Sequence, residues 1–249
     1  MLLPSVPLDA IRLPALLYDA GGRVVAANDR VEALAGRTLV GASIAEIRDA
    51  FRQRTPGGAA LALDELPASR ALRGEEAVGV PLEITAADAQ TVPVLATASP
   101  LWDGDAVTGA LVVWQDVSGL VESEVKYRTL FDSIDEGFFL VDVIFDEQDR
   151  PVDLLYVEAN AAAVRMLGQD WTGRRLTELS PHYERYWFEI FGKVARTGER
   201  VRLERYAAPD RTWYAFSVFR VGGPESRRVG NTFLDITERQ HGTLRPWPD

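Results

Sequence analysis

The sequence predicts an α+β fold built twice, each copy a five-stranded antiparallel sheet with small helices segregated to one face. Two observations carry this. The first is a duplication. Val25 Ala26 Ala27 Asn28, closed by Leu34 Ala35 Gly36, returns 132 residues later as Val157 Glu158 Ala159 Asn160, closed by Met166 Leu167 Gly168, and Gly41 returns as Gly173. Farther along, Arg73 Gly74 Glu75 is echoed by Thr197 Gly198 Glu199, and Asp116 Val117 Ser118 by Asp235 Ile236 Thr237. The order is kept while the spacing drifts, as loop-length changes between two copies of one fold would produce. The second observation is the element pattern, which in each half reads as two strands, short helices, then three strands.

Each copy opens on a hairpin. In the first it is Leu16 to Tyr18, a turn at Gly21 Gly22, and Val24 to Ala26; in the second, Phe138 to Phe145, a polar turn around Asp146 to Arg150, and Leu154 to Val157. Asn28 and Asn160 then open alanine-rich stretches that stop at Gly36 and Gly168. A side-chain acceptor before a short helix and a glycine after it are an N-cap and a stop, so both asparagines read as structural caps rather than ligand contacts.

Past the second glycine the copies diverge. Tyr183, Trp187, Ile190, Phe191 and Val194 fall at helical spacing and predict an amphipathic helix over 183–196 with an aromatic inner face. The matching region of the first copy, Thr55 to Ala62, is rich in Gly and Ala, and only Leu66 to Arg73 reads as a helix. Three strand runs close each copy: Val78–Thr85, Val92–Leu101 and Val107–Val117, then Val201–Ala207, Thr212–Val221 and Arg228–Ile236. Turn signals separate them at 87–90 and 103–105, then at Pro209 Asp210 and 222–224.

Between the copies, Leu120, Glu124, Tyr127, Phe131 and Ile134 alternate spacings of four and three, an apolar seam apart from Glu124. Two readings stay open: a linker helix that pairs with its mate in a dimer, and an amphipathic helix packed on its own domain. The expected organisation is a first domain over 1–119, a linker helix over 120–135, a second domain over 136–240 and a flexible tail over 241–249.

Composition narrows the function. The 249 residues contain no cysteine, which removes disulfides, thiolate metal sites and cysteine chemistry. The net charge of −10 is concentrated in residues 1–124, with 17 acidic side chains against 9 arginines. That balance argues against nucleic acid and against an anionic membrane surface as partners. No apolar run reaches transmembrane length and the N-terminus lacks a signal-peptide pattern, so the expected location is cytoplasmic, without membrane insertion.

With these residues in view, both halves resemble PAS domains, the sensory modules in the input regions of bacterial and archaeal histidine kinases and diguanylate cyclases. In the first copy the likeness rests on Glu65 Leu66 Pro67, 71–75 (Ala-Leu-Arg-Gly-Glu), Ser99 Pro100 Leu101 and the last strand from Gly109 to Ser118. In the second it rests on 133–138, Trp187 to Ile190, Thr197 Gly198 Glu199, Arg220 Val221 Gly222 and 235–239 (Asp-Ile-Thr-Glu-Arg). The resemblance implies a cavity between sheet and helices, and a signal passed to a C-terminal helix that starts just after the Asp-Ile-Thr tripeptide. Asp116 with Ser118, and Asp235 with Thr237, are then the signal-transmission residues, fixing the exit of the chain by local hydrogen bonds. Ser118 followed by Gly119 implies a looser grip in the first copy.

By strand alternation the second cavity is expected to be lined by Phe138, Leu140, Trp187, Ile190, Phe191, Trp213, Phe216 and Val218. A filled core remains the alternative reading of these residues. Haem is disfavoured, since Trp187 and Phe188 stand where haem-binding relatives place the iron ligand, and His182 belongs to the helix start. The missing cysteine disfavours a cysteinyl flavin; a non-covalent flavin or a small organic ligand stays open. No catalytic residue, metal site, phosphate loop or cyclase motif is expected. The expected function is a non-enzymatic signalling sensor acting as a homodimer with a sensor kinase or other signalling protein. The alternatives are a ligand-free dimerisation scaffold and a detached part of a histidine kinase with His241 as phosphoacceptor, although Gly242 and Pro246 would break the helix such a residue occupies.

Overall fold

The structure is a computed structural model that describes residues 7–208 and 211–240. It divides between Val125 and Lys126 into two compact units. The Pro209 Asp210 turn, His241 and the tail over 241–249 lie outside the described residues.

In the first unit β1 (Ala15–Asp19) and β2 (Val24–Ala27) form the hairpin, followed by α1 (Asp29–Ala35), α2 (Ile44–Ala50) and α3 (Pro67–Leu72). Strands β3 (Ala77–Thr85), β4 (Thr91–Asp103) and β5 (Ala106–Asp116) complete an antiparallel sheet in the order β2-β1-β5-β4-β3. Helix α4 (Ser118–Ser133) follows. The second unit then repeats the plan with β6 (Gly137–Phe145), β7 (Pro151–Ala159), α5 (Ala161–Leu167), α6 (Leu176–Leu179), α7 (Arg185–Thr197), β8 (Val201–Ala207), β9 (Thr212–Arg220) and β10 (Arg228–Asp235). Its order is β7-β6-β10-β9-β8, the same permutation, and α8 (Thr237–Gln240) leaves from the last strand. The α+β class and both five-stranded sheets are as the sequence predicts.

The two asparagines cap α1 and α5 and also reach well beyond them. Asn28 Oδ1 accepts from the N–H of Val31 at 3.2 Å and of Ala15 at 3.0 Å, while its Nδ2 donates to the carbonyls of Leu13 and Ile11. Asn160 Oδ1 accepts from Ala163 at 2.8 Å and Phe138 at 2.9 Å, and its Nδ2 donates to Glu136 and Phe131. Each therefore ties helix, first strand and preceding chain together with one fully buried amide. Asp9 and Asp132 add the same bond in each copy, accepting the first helical N–H of Asp29 and Ala161. At the far ends Gly36 and Gly168 take φ of 64° and 73°, the left-handed turn that stops both helices.

Helix α2 is not among the helices the sequence reading predicts. Seven residues with only Ile47 buried leave little periodicity to read. The signal present was the capping box. Ser43 donates its N–H to the Glu46 carboxylate at 2.7 Å and accepts the Glu46 N–H on its hydroxyl at 3.3 Å. The four-residue α6, with only Leu176 buried, likewise offers no periodicity to read.

Of the linker seam, α4 buries only Phe131. Its ring stacks on Tyr127 at 5.3 Å and meets Phe138 edge-on at 5.1 Å, and the Tyr127 hydroxyl donates to Glu158 at 3.1 Å. Burial and the neighbouring Glu158 charge both push the Tyr127 phenol up. Leu120, Val121, Val125, Leu130 and Ile134 stay exposed.

Candidate functional site

The aromatic side chains of the second unit form a box rather than a stripe. Trp171, Phe139 and Phe233 stack nearly parallel, with ring centroids 5.9 Å and 4.8 Å apart. Tyr156 sets its edge against Phe139 and Trp171, and Tyr214 against Phe233. Trp187, from α7, lies 4.7 Å from Phe216 of β9. Offset and edge-on pairs each contribute about 0.5–1.5 kcal/mol beyond burial, so these rings hold one another in place.

They surround a cavity of about 50 Å³. Phe139, Tyr156, Trp171, Trp187, Phe191, Tyr214, Phe216, Phe233 and Asn231 are among its lining residues. One water occupies about 10–15 Å³ on this measure, and an apolar cavity of about 150 Å³ holds benzene. The space thus fits a molecule of a few non-hydrogen atoms. It does not fit the three fused rings of a flavin or the macrocycle of a haem.

Two of the lining residues carry a buried polar atom without a hydrogen-bond partner among the described residues, Trp171 Nε1 and Asn231 Oδ1. Both residues are 6% exposed. The Asn231 backbone is held firmly, in the middle of β10 opposite Phe139 of β6 and Val218 of β9.

Of the eight residues expected at this site, Trp187, Phe191 and Phe216 line the cavity. Val218 is fully buried in the core cluster, and Ile190 packs half-buried against that cluster. Phe138, Leu140 and Trp213 do not line it, which corrects the expected inner face. Along β6 the buried positions are Gly137, Phe139, Val141 and Val143. Phe138 instead faces α4 and Phe219, at 5.1 Å from Phe131 and 6.3 Å from Phe219. Both faces of β6 are covered by apolar groups there, so the run Gly-Phe-Phe-Leu-Val carries no alternation from which its parity could be read. On β9 the inward set is Tyr214, Phe216 and Val218; Trp213 has the opposite parity and packs on Tyr206 at 5.8 Å. His182 is exposed ahead of α7.

The first unit encloses far less. Phe51 meets Trp114 edge-on at 4.8 Å, and with Tyr18, Ile47 and Leu66 they leave about 10 Å³, barely a single water's space. Burial drives the Tyr18 phenol strongly up, keeping it neutral.

The strand exits differ as well. Asp235 Oδ1 accepts the Thr237 N–H, and Asp116 Oδ1 the Ser118 N–H, each at 2.8 Å. In the second unit Thr237 Oγ1 also accepts the N–H of Trp213 at 2.9 Å. Pro93 holds the corresponding place in the first unit, with its carbonyl accepting from Val117 as that of Trp213 accepts from Ile236. Proline has no N–H, so Ser118 cannot make the second bond.

A five-stranded antiparallel sheet of this permutation, with helices over one face and a cavity between, defines a sensory-domain fold. Residues 13–119 and residues 125–206 each match the PAS domain family, so the chain belongs to that family and carries two PAS domains in tandem, of the signal-transduction kind. Among solved structures it is similar to an RNA-binding light-oxygen-voltage receptor, at 14% identity and a TM-score of 0.34, covering 93% of this chain and 100% of that one. It is similar to the PAS domain of Bordetella pertussis BvgS at 23% identity, with a TM-score of 0.36 and coverage of 52% and 94%. The PAS domain of an HTR-like protein from Haloarcula marismortui gives 18% identity, a TM-score of 0.36 and coverage of 47% and 95%. The comparison with curated proteins gives no match. No helix among the described residues is long and apolar enough to cross a membrane.

Proposed function

We propose that the protein is a non-enzymatic sensory relay in which the second PAS domain receives a small ligand and the first serves as a packed scaffold. One observation carries this reading. The second cavity holds about 50 Å³, whereas the first is closed to about 10 Å³. Strand β10 supports the relay, because the same eight residues carry Asn231 and Phe233 in the cavity wall and Asp235 at the exit. A ligand that draws on Asn231 would shift β10, and Thr237 would pass the shift into the following helix.

The exposed apolar residues of α4 support homodimerisation through the linker, and the reading includes a cytoplasmic signalling protein, such as a sensor kinase, as the downstream partner. The domain limits that go with it are 1–119, 120–135 and 136–240. Native mass spectrometry and light scattering of the full chain test the core of this proposal. A dimer that carries a small-molecule adduct, lost on Trp187→Ala but kept on Trp114→Ala, is the expected result. Kinase or cyclase turnover by the purified chain, or an adduct that follows Trp114, would overturn it.

A further inference from the structure

We propose that Tyr127 and Glu158 form a second outlet of the second PAS domain, a clasp through which a displacement of the cavity wall reaches the linker helix α4, in parallel with the exit at Thr237. This rests on the sensory reading of that cavity and adds a regulated contact on α4. Three observations carry it.

The first is a β-bulge in β7. Leu140 pairs with Glu158 and the next residue, Val141, pairs with Tyr156, so Val157 is an extra residue in the ladder. In a regular strand, residues two apart share a face. The bulge separates these two: Tyr156 is buried and lines the cavity, whereas the Glu158 carboxylate accepts the Tyr127 hydroxyl of α4 at 3.1 Å. Cavity wall and linker helix are thus reached from two neighbouring positions of one strand.

The second is the graded hold on α4. Phe131 is buried, its carbonyl accepts from the buried Asn160, and Asp132 accepts from Ala161. Tyr127 lies one turn earlier and is 48% exposed. A solvent-exposed hydrogen bond is exchanged for water at little cost, so a small movement of β7 opens the Tyr127 bond while the end of α4 stays fixed. Leu130, exposed between the two ties, is the apolar group whose presentation the clasp governs.

The third is that the first unit differs at this point. It repeats the bulge, with Leu17 paired to Ala26 and Tyr18 to Val24, and it repeats the ties of Asn28 and Asp9. Ala26 stands where the second copy has Glu158, and it has no carboxylate to offer. The larger cavity and the clasp occur in the same unit.

Hydrogen exchange of the full chain tests this, read segment by segment for the unmodified protein, Tyr127→Phe, Phe191→Leu and the double variant. Phe191 lines the cavity from α7 and belongs to neither β7 nor α4. Tyr127→Phe should speed exchange in 127–133 about fivefold and leave β9 unchanged, and Glu158→Ala should reproduce it. Phe191→Leu should shift exchange at least about twofold both in 127–133 and in α8. With Tyr127→Phe present, the shift in α4 should vanish and that in α8 persist. Equal α4 shifts in both backgrounds, or an α4 indifferent to Tyr127→Phe, overturn the clasp and leave the exit at Thr237 standing. A Phe191→Leu shift in neither helix removes the sensory relay as well. Should Phe191→Leu fail to fold, Phe191→Met, closer in volume, takes its place.

Discussion

The hydroxyl of Thr237 accepts the backbone N–H of Trp213 at 2.9 Å, and the carbonyl of Trp213 accepts the N–H of Ile236 at 2.8 Å. Ile236 and Thr237, at the start of the exit helix, are thus clasped to β9 through both backbone groups of one residue, Trp213. Thr237→Val keeps the shape and removes the acceptor, leaving a partly buried N–H unmet. It should cost about 1 kcal/mol and speed hydrogen exchange at the Trp213 amide. Ser118→Ala in the first copy should stay within about 0.5 kcal/mol, because Pro93 offers no N–H to lose. Equal effects of the two substitutions in denaturant melts would refute the asymmetry.

Asn28 and Asn160 are interior ties as much as caps. A capping asparagine replaced by alanine costs about 1 kcal/mol from the cap alone, and each further buried bond left broken adds about 1 kcal/mol. Asn160→Ala should therefore destabilise the second unit by at least about 2 kcal/mol and release the end of α4, whose Phe131 carbonyl it holds. Asn28→Ala should do the same to the first unit. Chemical denaturation read separately at Trp171 and Trp114 checks this, and a loss near 0.5 kcal/mol would reduce both residues to simple caps.

Gly137 lies beneath the ring of Phe233, where an added Cβ would overlap three ring atoms. Gly137→Ala should cost about 1–3 kcal/mol and displace Phe233 from its stack on Phe139. Near-ultraviolet circular dichroism reads the loss of that stack. An unchanged aromatic spectrum would show that the ring moves freely.

Backbone N–H groups of Ser43, Arg150 and Thr172 hold the carboxyls of Glu46, Asp146 and Asp170 below the usual carboxylate range. Their folded values lie under their unfolded ones, so the unfolded chain binds more protons as pH falls. The stabilisation is complete above the ordinary carboxylate values near about 4 and is lost as pH drops through the lower folded values. Denaturation midpoints should be level from neutral pH down to about 5 and fall below about 4. A midpoint at pH 3 matching that at pH 6 would contradict this.

Duplication, caps, strand runs and exit tripeptides were legible because each is written locally. An asparagine before alanines, a glycine after them, and apolar runs broken by Asp, Gly and Pro state their roles within a few residues. The roles of Asp9 and Asp132 are not legible in the sequence because their bonds span 20 and 29 residues of chain. The wall of the cavity was half legible. Trp187 and Phe191 follow from helical spacing, whereas Tyr156, Trp171, Tyr214 and Phe233 come from strands and a loop that meet only in the folded unit.

What the sequence determined by itself is therefore the module and its repetition, since periodicity and turn chemistry act over short range. The tertiary structure alone decided the parity of β6, which follows from having Phe131 on one side and Trp171 on the other. It alone placed Pro93 where Trp213 stands in the other copy, and Asn231 and Trp171 among the residues that line one cavity. Which groups face each other across a sheet depends on pairing between distant segments, and no local pattern in the chain encodes that pairing.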